Sequence, residues 1–294
     1  MKESLSAQNV GNALYGLQGM TSDREEVCKL LQALHGKIPD KSRLTGQEAG
    51  MALYGLRLIV IDESWREILQ SLIQSLRDVS RSSNVSLLAE DFMTVRSTYQ
   101  YVALLVSDES CALMSRLSML GLVDDLRDVK TSLRQKLEEL VKDMDSASRT
   151  SQSTPRSLQS QQSSRSRVGL LSTSSDTERR YVKVALEELQ KHLANIETER
   201  KWRVVSEKSN EMLHGFDTDL VVVLRRGTEE EIVLNIEIDG PHHQQVTQKR
   251  FDQLRDAYFT RDHGIKVIRL NVMNKRVADN SRQYFQNIYD RYLL

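Results

Sequence analysis

Three carboxylates and two imidazoles stand close together in the last third of the chain. Asp219 opens the branched run Leu220 to Leu224. Glu237 and Asp239 interrupt the apolar run that begins at Val233, and Gly240-Pro241-His242-His243 follows at once. Residues two apart in a strand share a face, so Glu237 and Asp239 lie side by side at a strand's C-terminal end. Carboxylates placed together and partly buried repel, unless a cation or a shared proton relieves them. Asp219, Glu237 and Asp239 are therefore candidate ligands for one Mg2+ or Mn2+ ion, which would activate water and stabilise charge on a cleaved phosphodiester. His242 or His243 would carry the proton, and Arg255 would contact the phosphate. The plainer alternative is a set of salt-bridged strand ends, for instance Asp239 with Arg255, or the whole cluster neutralised by Arg255.

These residues need a frame, and the flanking sequence supplies one. Val246 to His263 has Phe251, Leu254, Ala257 and Tyr258 on one helical face, with Gly264 as its C-cap. Ile265, Val267, Ile268 and Leu270 make another strand, and a last helix spans roughly Val277 to Tyr292. Upstream, Glu178 to Ile196 is an amphipathic helix, and Trp202-Arg203-Val204-Val205 is a first strand. From Asp219 onward the order is strand, strand, helix, strand, helix.

Asp219, then Ile236-Glu237-Ile238-Asp239-Gly240-Pro241-His242-His243, then Lys249-Arg250 with Arg255-Asp256, then His263-Gly264-Ile265-Lys266-Val267-Ile268-Arg269, resembles the RAP domain. That domain is itself similar to the PD-(D/E)XK nuclease fold and to very-short-patch-repair endonucleases. The resemblance covers about Val204 to Leu294. It implies a restriction-endonuclease-like α/β fold at the C-terminus of a helical-repeat protein that binds organellar RNA. The wider nuclease fold carries a lysine two residues after the acid, where this chain has Asp239. That departure argues against lysine-assisted cleavage.

The N-terminal half repeats itself. Gln8 to Leu17, ending Ala13-Leu14-Tyr15-Gly16-Leu17, recurs as Gln47 to Leu56, ending Ala52-Leu53-Tyr54-Gly55-Leu56, an offset of 39 residues. Each copy is followed by an amphipathic partner, Val27 to Leu34 and Trp65 to Leu72. This period signals stacked helical hairpins. Gly11, Gly16, Gly50 and Gly55 each cost about 1 kcal/mol in helix propensity, so close helix approach must matter there. The signature resembles octotricopeptide-type repeats. Leu87 to Val106 and Leu113 to Met144 are further helices, the latter with Leu133, Leu137, Leu140 and Val141 on one face of a solvated terminal helix. From Ser146 to Thr177, serine, glutamine, threonine and arginine dominate, which predicts a disordered tether.

Composition narrows the classes. Forty-one basic residues balance forty-one acidic ones in 294 residues, so no global basic field marks a sequence-blind nucleic-acid binder. Cys28 and Cys111 are far apart and read as buried thiols of a reducing compartment. His35, His192 and His214 stand alone and read as surface or helix-face residues, and Cys28 has no neighbouring Cys or His pair, which speaks against a zinc site there. No apolar run reaches the ~20 residues of a membrane span. No signal or transit peptide is visible, and the chain opens almost inside a repeat, which predicts a missing beginning.

The expectation is a multidomain chain. Residues 1–145 form an all-α helical-hairpin repeat region, 146–177 a disordered linker and 178–294 a RAP-like α/β domain. The resemblance implies RNA binding in a mitochondrion or plastid, or alternatively the cytoplasm, with single-stranded RNA as partner, and no membrane partner is expected. The alternatives are a Mg2+-dependent endonuclease and a non-catalytic scaffold for RNA-processing factors.

Overall fold

The computed structural model describes residues 5–35, 44–81, 88–108, 110–150, 176–195, 202–227 and 230–293. The chain divides into two compact units, Met1–Leu158 and Gln159–Leu294. The first is helical and the second is a mixed α/β domain.

The first unit contains α1 (Ala7–Tyr15), α2 (Glu25–His35), α3 (Gly46–Gly55), α4 (Arg66–Arg81), α5 (Leu88–Ser107), α6 (Ala112–Met119) and α7 (Val123–Thr150). Local chemistry sets the helix starts. The Ser6 hydroxyl accepts the Asn9 N–H at the start of α1, and Thr45 forms a reciprocal capping box with Glu48 at the start of α3. Helices α1, α3, α5 and α7 lie in one row, each packed on the next, and α4 packs on α3 and α7. The two copies of the repeat thus place their first helices next to one another.

Glycine makes the row tight. A Cβ on Gly55 would fall on the Leu14 carbonyl and lie 2.7 Å from Tyr15 Cα, and one on Gly50 would lie 3.3 Å from Tyr101 Cβ. The expectation that small residues bring the helices together holds at both positions. It also brings the rings of Tyr15, Tyr54 and Tyr101 together, with centroids 5.5 to 6.2 Å apart.

Two expected elements differ. The single helix predicted from Leu113 is two, α6 and α7, because Gly121 takes a left-handed turn at φ 70° between them. Leu133, Leu137 and Leu140 are buried core residues rather than the apolar seam of a solvated helix. The first part of the expected tether, residues 146–150, continues α7; residues 151–175 lie outside the described residues. Of the cysteines, Cys111 is buried and Cys28 half-buried, and neither forms a disulfide.

The second unit comprises α8 (Asp176–Asn195), β1 (Arg203–Leu213), β2 (Phe216–Arg226), β3 (Glu230–Asp239), α9 (Val246–His263), β4 (Lys266–Asn271), α10 (Lys275–Asp279) and α11 (Ser281–Leu293). The predicted strand, strand, helix, strand order is present. The last helix is broken at Asn280, and the first strand runs eight residues beyond Val205. A two-residue turn, His214-Gly215, with both φ positive, joins β1 to β2. Such a turn matches the twist of paired antiparallel strands.

The four strands lie in the order β1-β2-β3-β4. The first two pairings are antiparallel and β3–β4 is parallel. One face of the sheet buries Leu220, Val222, Leu234, Ile236, Ile238, Ile268 and Leu270 against α8 and α11, including Ala185, Leu189, Phe285 and Tyr289. Trp202 Nε1 donates to the Leu293 carbonyl at 3.1 Å and fastens the start of β1 to the end of α11. Helix α9 crosses the other face and ends at Gly264, whose φ of 67° fits the predicted C-cap.

Candidate functional site

Alternation along β3 builds the site. Ile236 and Ile238 enter the apolar core, so Asn235, Glu237 and Asp239 turn toward α9. The β2–β3 register pairs Leu220 with Ile236. One step further on, Asp219 stands opposite Glu237. There the backbone ladder gives way to a side chain: the Ile238 N–H donates to Asp219 Oδ2 at 2.6 Å.

Each acid has its own environment. Glu237 is buried; its Oε2 accepts from Arg255 Nη2 at 3.0 Å and its Oε1 from Asn235 Nδ2 at 2.9 Å. Arg255 Nη1 also donates to the Asp217 carbonyl at 3.3 Å. Asp239 accepts from Arg269 Nη1 at 2.5 Å. The rest of that guanidinium forms a fork on Asp256, with Nε at 2.6 Å and Nη2 at 2.8 Å. Asp219 has no arginine of its own. Burial and the adjacent Glu237 charge raise its carboxyl to about 7, although the Ile238 N–H and Arg255 work the other way.

The histidines differ as well. His243 Nδ1 lies 2.7 Å from Asp252 Oδ2, whose other oxygen accepts from Gln248 at 2.9 Å. Burial works to lower His243, but the bond to Asp252 and the charges of Asp252 and Asp239 outweigh it and raise its pKa. Burial works to raise Asp252, and the His243 bond with Arg255 and Arg269 overcomes it. His242 is lowered, by burial and by the neighbouring His243 ring 3.8 Å away. An imidazole steered by a carboxylate is the arrangement of an oriented proton carrier.

A cavity of about 190 Å³ collects Asp219, Glu237, His242, His243 and Arg255, with Glu178 and Gln248 on its wall. Five of the six candidates, counting both histidines, therefore meet. Asp239 does not line it. Glu237 and Asp239 share a face, as alternation requires, but Arg269 reaches across from β4 and takes Asp239 away from the other two acids. The expected metal trio of Asp219, Glu237 and Asp239 is therefore not formed. The alternative Asp239–Arg255 bridge is corrected too: Arg255 holds Glu237, and Arg269 holds Asp239. Among the described residues, the group whose ligand atoms lie within 4.8 Å of one another is Asp239, His243 and Asp252.

No protein family, curated protein or solved structure matches the chain. The site's chemistry is therefore read from its own geometry. Mg2+ does not fit Asp219 and Glu237 as they stand. Both Glu237 oxygens are occupied by nitrogen donors, and Arg255 is buried with its charge already placed. Asp252, Asp256 and Arg269 are the residues that sequence reasoning passed over. Their signal was present: Arg269 is the charged residue between Ile268 and Leu270 in an apolar strand, and Asp252, Arg255 and Asp256 share one helical flank.

Proposed function

We propose that this protein binds single-stranded RNA and that its C-terminal unit contacts RNA without cutting it. The observation that carries the non-cleaving half is the buried Glu237–Arg255 pair at 3.0 Å. An arginine sits where a nuclease of the resembled class would need a metal, and the catalytic lysine position holds Asp239, itself paired with Arg269. The RNA half rests on the likeness of Asp219 to Arg269 to the RAP domain and of the Ala-Leu-Tyr-Gly-Leu copies to octotricopeptide-type repeats. In support, the two repeat copies bring Tyr15 and Tyr54 together and α5 adds Tyr101, with Tyr15 and Tyr101 half-buried, and aromatic side chains stack on unpaired bases. The same likeness assigns the work to organellar RNA processing, stability or translation.

The test is a labelled single-stranded RNA incubated with the full chain, with and without Mg2+. The expected result is a retarded band of unchanged length, with affinity falling as salt rises. The second reading, a metal-dependent endonuclease, draws on the facing of Asp219 and Glu237 in one cavity beside the His243–Asp252 pair. RNA shortened only with Mg2+, and left whole by Glu237→Gln, would establish that reading instead.

A further inference from the structure

We propose that Asp239, His243 and Asp252 form a site for a divalent transition-metal ion of the Zn2+ class, distinct from any magnesium site at Asp219 and Glu237. The inference is independent of RNA binding.

Three elements deliver the ligands. Asp239 ends β3, His243 lies in the 3-10 turn Pro241–Gln244, and Asp252 projects from the second turn of α9. One atom of each lies within 4.8 Å of the others, and Asp252 is buried with the other two half-buried. His243 Nδ1 sits 2.7 Å from Asp252 and 3.6 Å from Asp239. A single N–H cannot serve both carboxylates well, whereas a metal at about 2.0–2.2 Å from each ligand can. An imidazole with two carboxylates favours Zn2+ or its neighbours over Mg2+, which prefers oxygen alone.

Charge favours the same occupant. In the layer between sheet and α9, Glu237, Asp239, Asp252 and Asp256 face Arg255 and Arg269. With His243 neutral, these four carboxylates outnumber the two guanidinium groups, and Asp219 adds to the excess where it is ionised, so the layer favours a cation. Arg269 is the obvious competitor for Asp239, but it can step aside. Its Nε and Nη2 already fork onto Asp256, so only Nη1 has to leave. At Glu237 a metal would have to displace both Arg255 and Asn235, and Arg255 has no comparable fork to keep, since Asp252 and Asp256 lie 3.8 and 4.0 Å from it; this separates the site from the magnesium arrangement rejected above. Gln248, donating to Asp252, orients that ligand from outside. His243 also lines the 190 Å³ cavity. A tetrahedral ion with three protein ligands leaves its fourth position to water, the pattern of a metal that exchanges water for a ligand.

The experiment uses the full chain, stripped with chelator and then titrated separately with Zn2+ and Mg2+. Bound metal per chain is measured after desalting, and the melting temperature is followed in parallel. One Zn2+ per chain with a raised melting temperature is expected. His243→Ala and Asp252→Asn should abolish both, and Gln248→Ala should weaken affinity about 10–100-fold. Asp219→Asn and Cys28→Ser should leave uptake unchanged. As these ligand variants could fold poorly, Co2+ is added to the unaltered protein, where a visible absorption band displaced by Zn2+ reports a low-coordinate site. Zn2+ uptake that survives in folded His243→Ala, absence of the Co2+ band, or a Mg2+ response equal to that of Zn2+ overturns the proposal.

Discussion

The two faces of the C-terminal sheet are built on opposite principles. Toward α8 and α11, alternate residues of β2, β3 and β4 are aliphatic and meet Phe285 and Tyr289. Burial of each such side chain contributes about 1.5–3 kcal/mol without directional demands. Toward α9, the same strands present Asp219, Glu237, Asp239 and Arg269 to Asp252, Arg255 and Asp256. There, desolvation of each ion is offset only when its partner is in place. The difference teaches what each face tolerates. The apolar side responds to volume and little to pH, whereas the charged side responds to protons, cations and the geometry of each pair.

Substitutions can break that comparison. Phe285→Ala opens a cavity at a fully buried ring and should lower stability by about 3–5 kcal/mol. The loss should be the same at pH 5 and pH 8 in urea denaturation; a strong pH dependence would show that the faces are coupled. Arg255→Ala should cost about 3 kcal/mol, because it strands Glu237 as a buried charge. Adding Glu237→Gln should recover about 1–2 kcal/mol of it, since the stranded charge is gone. Simple additivity in that pair would mean that packing, not charge, holds the layer together.

Asp219 supplies a smaller effect of opposite sign. The folded state raises its carboxyl from 3.8 to about 7, so between those values the folded chain keeps a proton that the unfolded chain releases. Stability falls as pH rises through that window, and the penalty is complete above about 7. Asp219→Asn keeps an acceptor for the Ile238 N–H. It should therefore stabilise the protein at pH 8, on the order of 1–3 kcal/mol, and change nothing at pH 3. Equal effects at both pH values would refute the assignment. The smallest change is expected at the open end of the sheet, where Arg225 pairs with Glu231 at 2.6 Å and both are exposed. Arg225→Ala should shift stability by less than about 1 kcal/mol, and salt should erase the shift.

Alternation and turn chemistry made much of this unit legible in the sequence. The apolar run with carboxylates at Glu237 and Asp239 located β3 and the face its acids share, and Gly264 marked the end of α9. The pairings were not legible. Whether Arg255 or Arg269 reaches Asp239 depends on the parallel register of β3 with β4, which sets Glu237 beside Arg269 and Asp239 beside Asn271. That register follows from how α9 lies across the sheet, and no local pattern in the sequence encodes it. In the helical unit, the glycine spacing announced close helix contacts, but the third tyrosine, Tyr101, lies outside the repeat and joins the cluster only because α5 packs on α3.

The parallel pairing of β3 with β4 also orders events in time. Strands β1, β2 and β3 form a meander whose neighbours in space are neighbours in sequence, so their pairing closes short loops. Strand β4 can dock only after α9 has crossed the sheet, a longer closure with a larger entropic cost. The meander is therefore expected to form in the folding nucleus, and the charged layer after the barrier. Stopped-flow kinetics should then divide the molecule along the same line: Val222→Ala in β2 slows refolding, whereas Arg255→Ala leaves refolding nearly unchanged and accelerates unfolding. The residues that give the site its chemistry would thus govern how long the domain stays folded, not how fast it gets there.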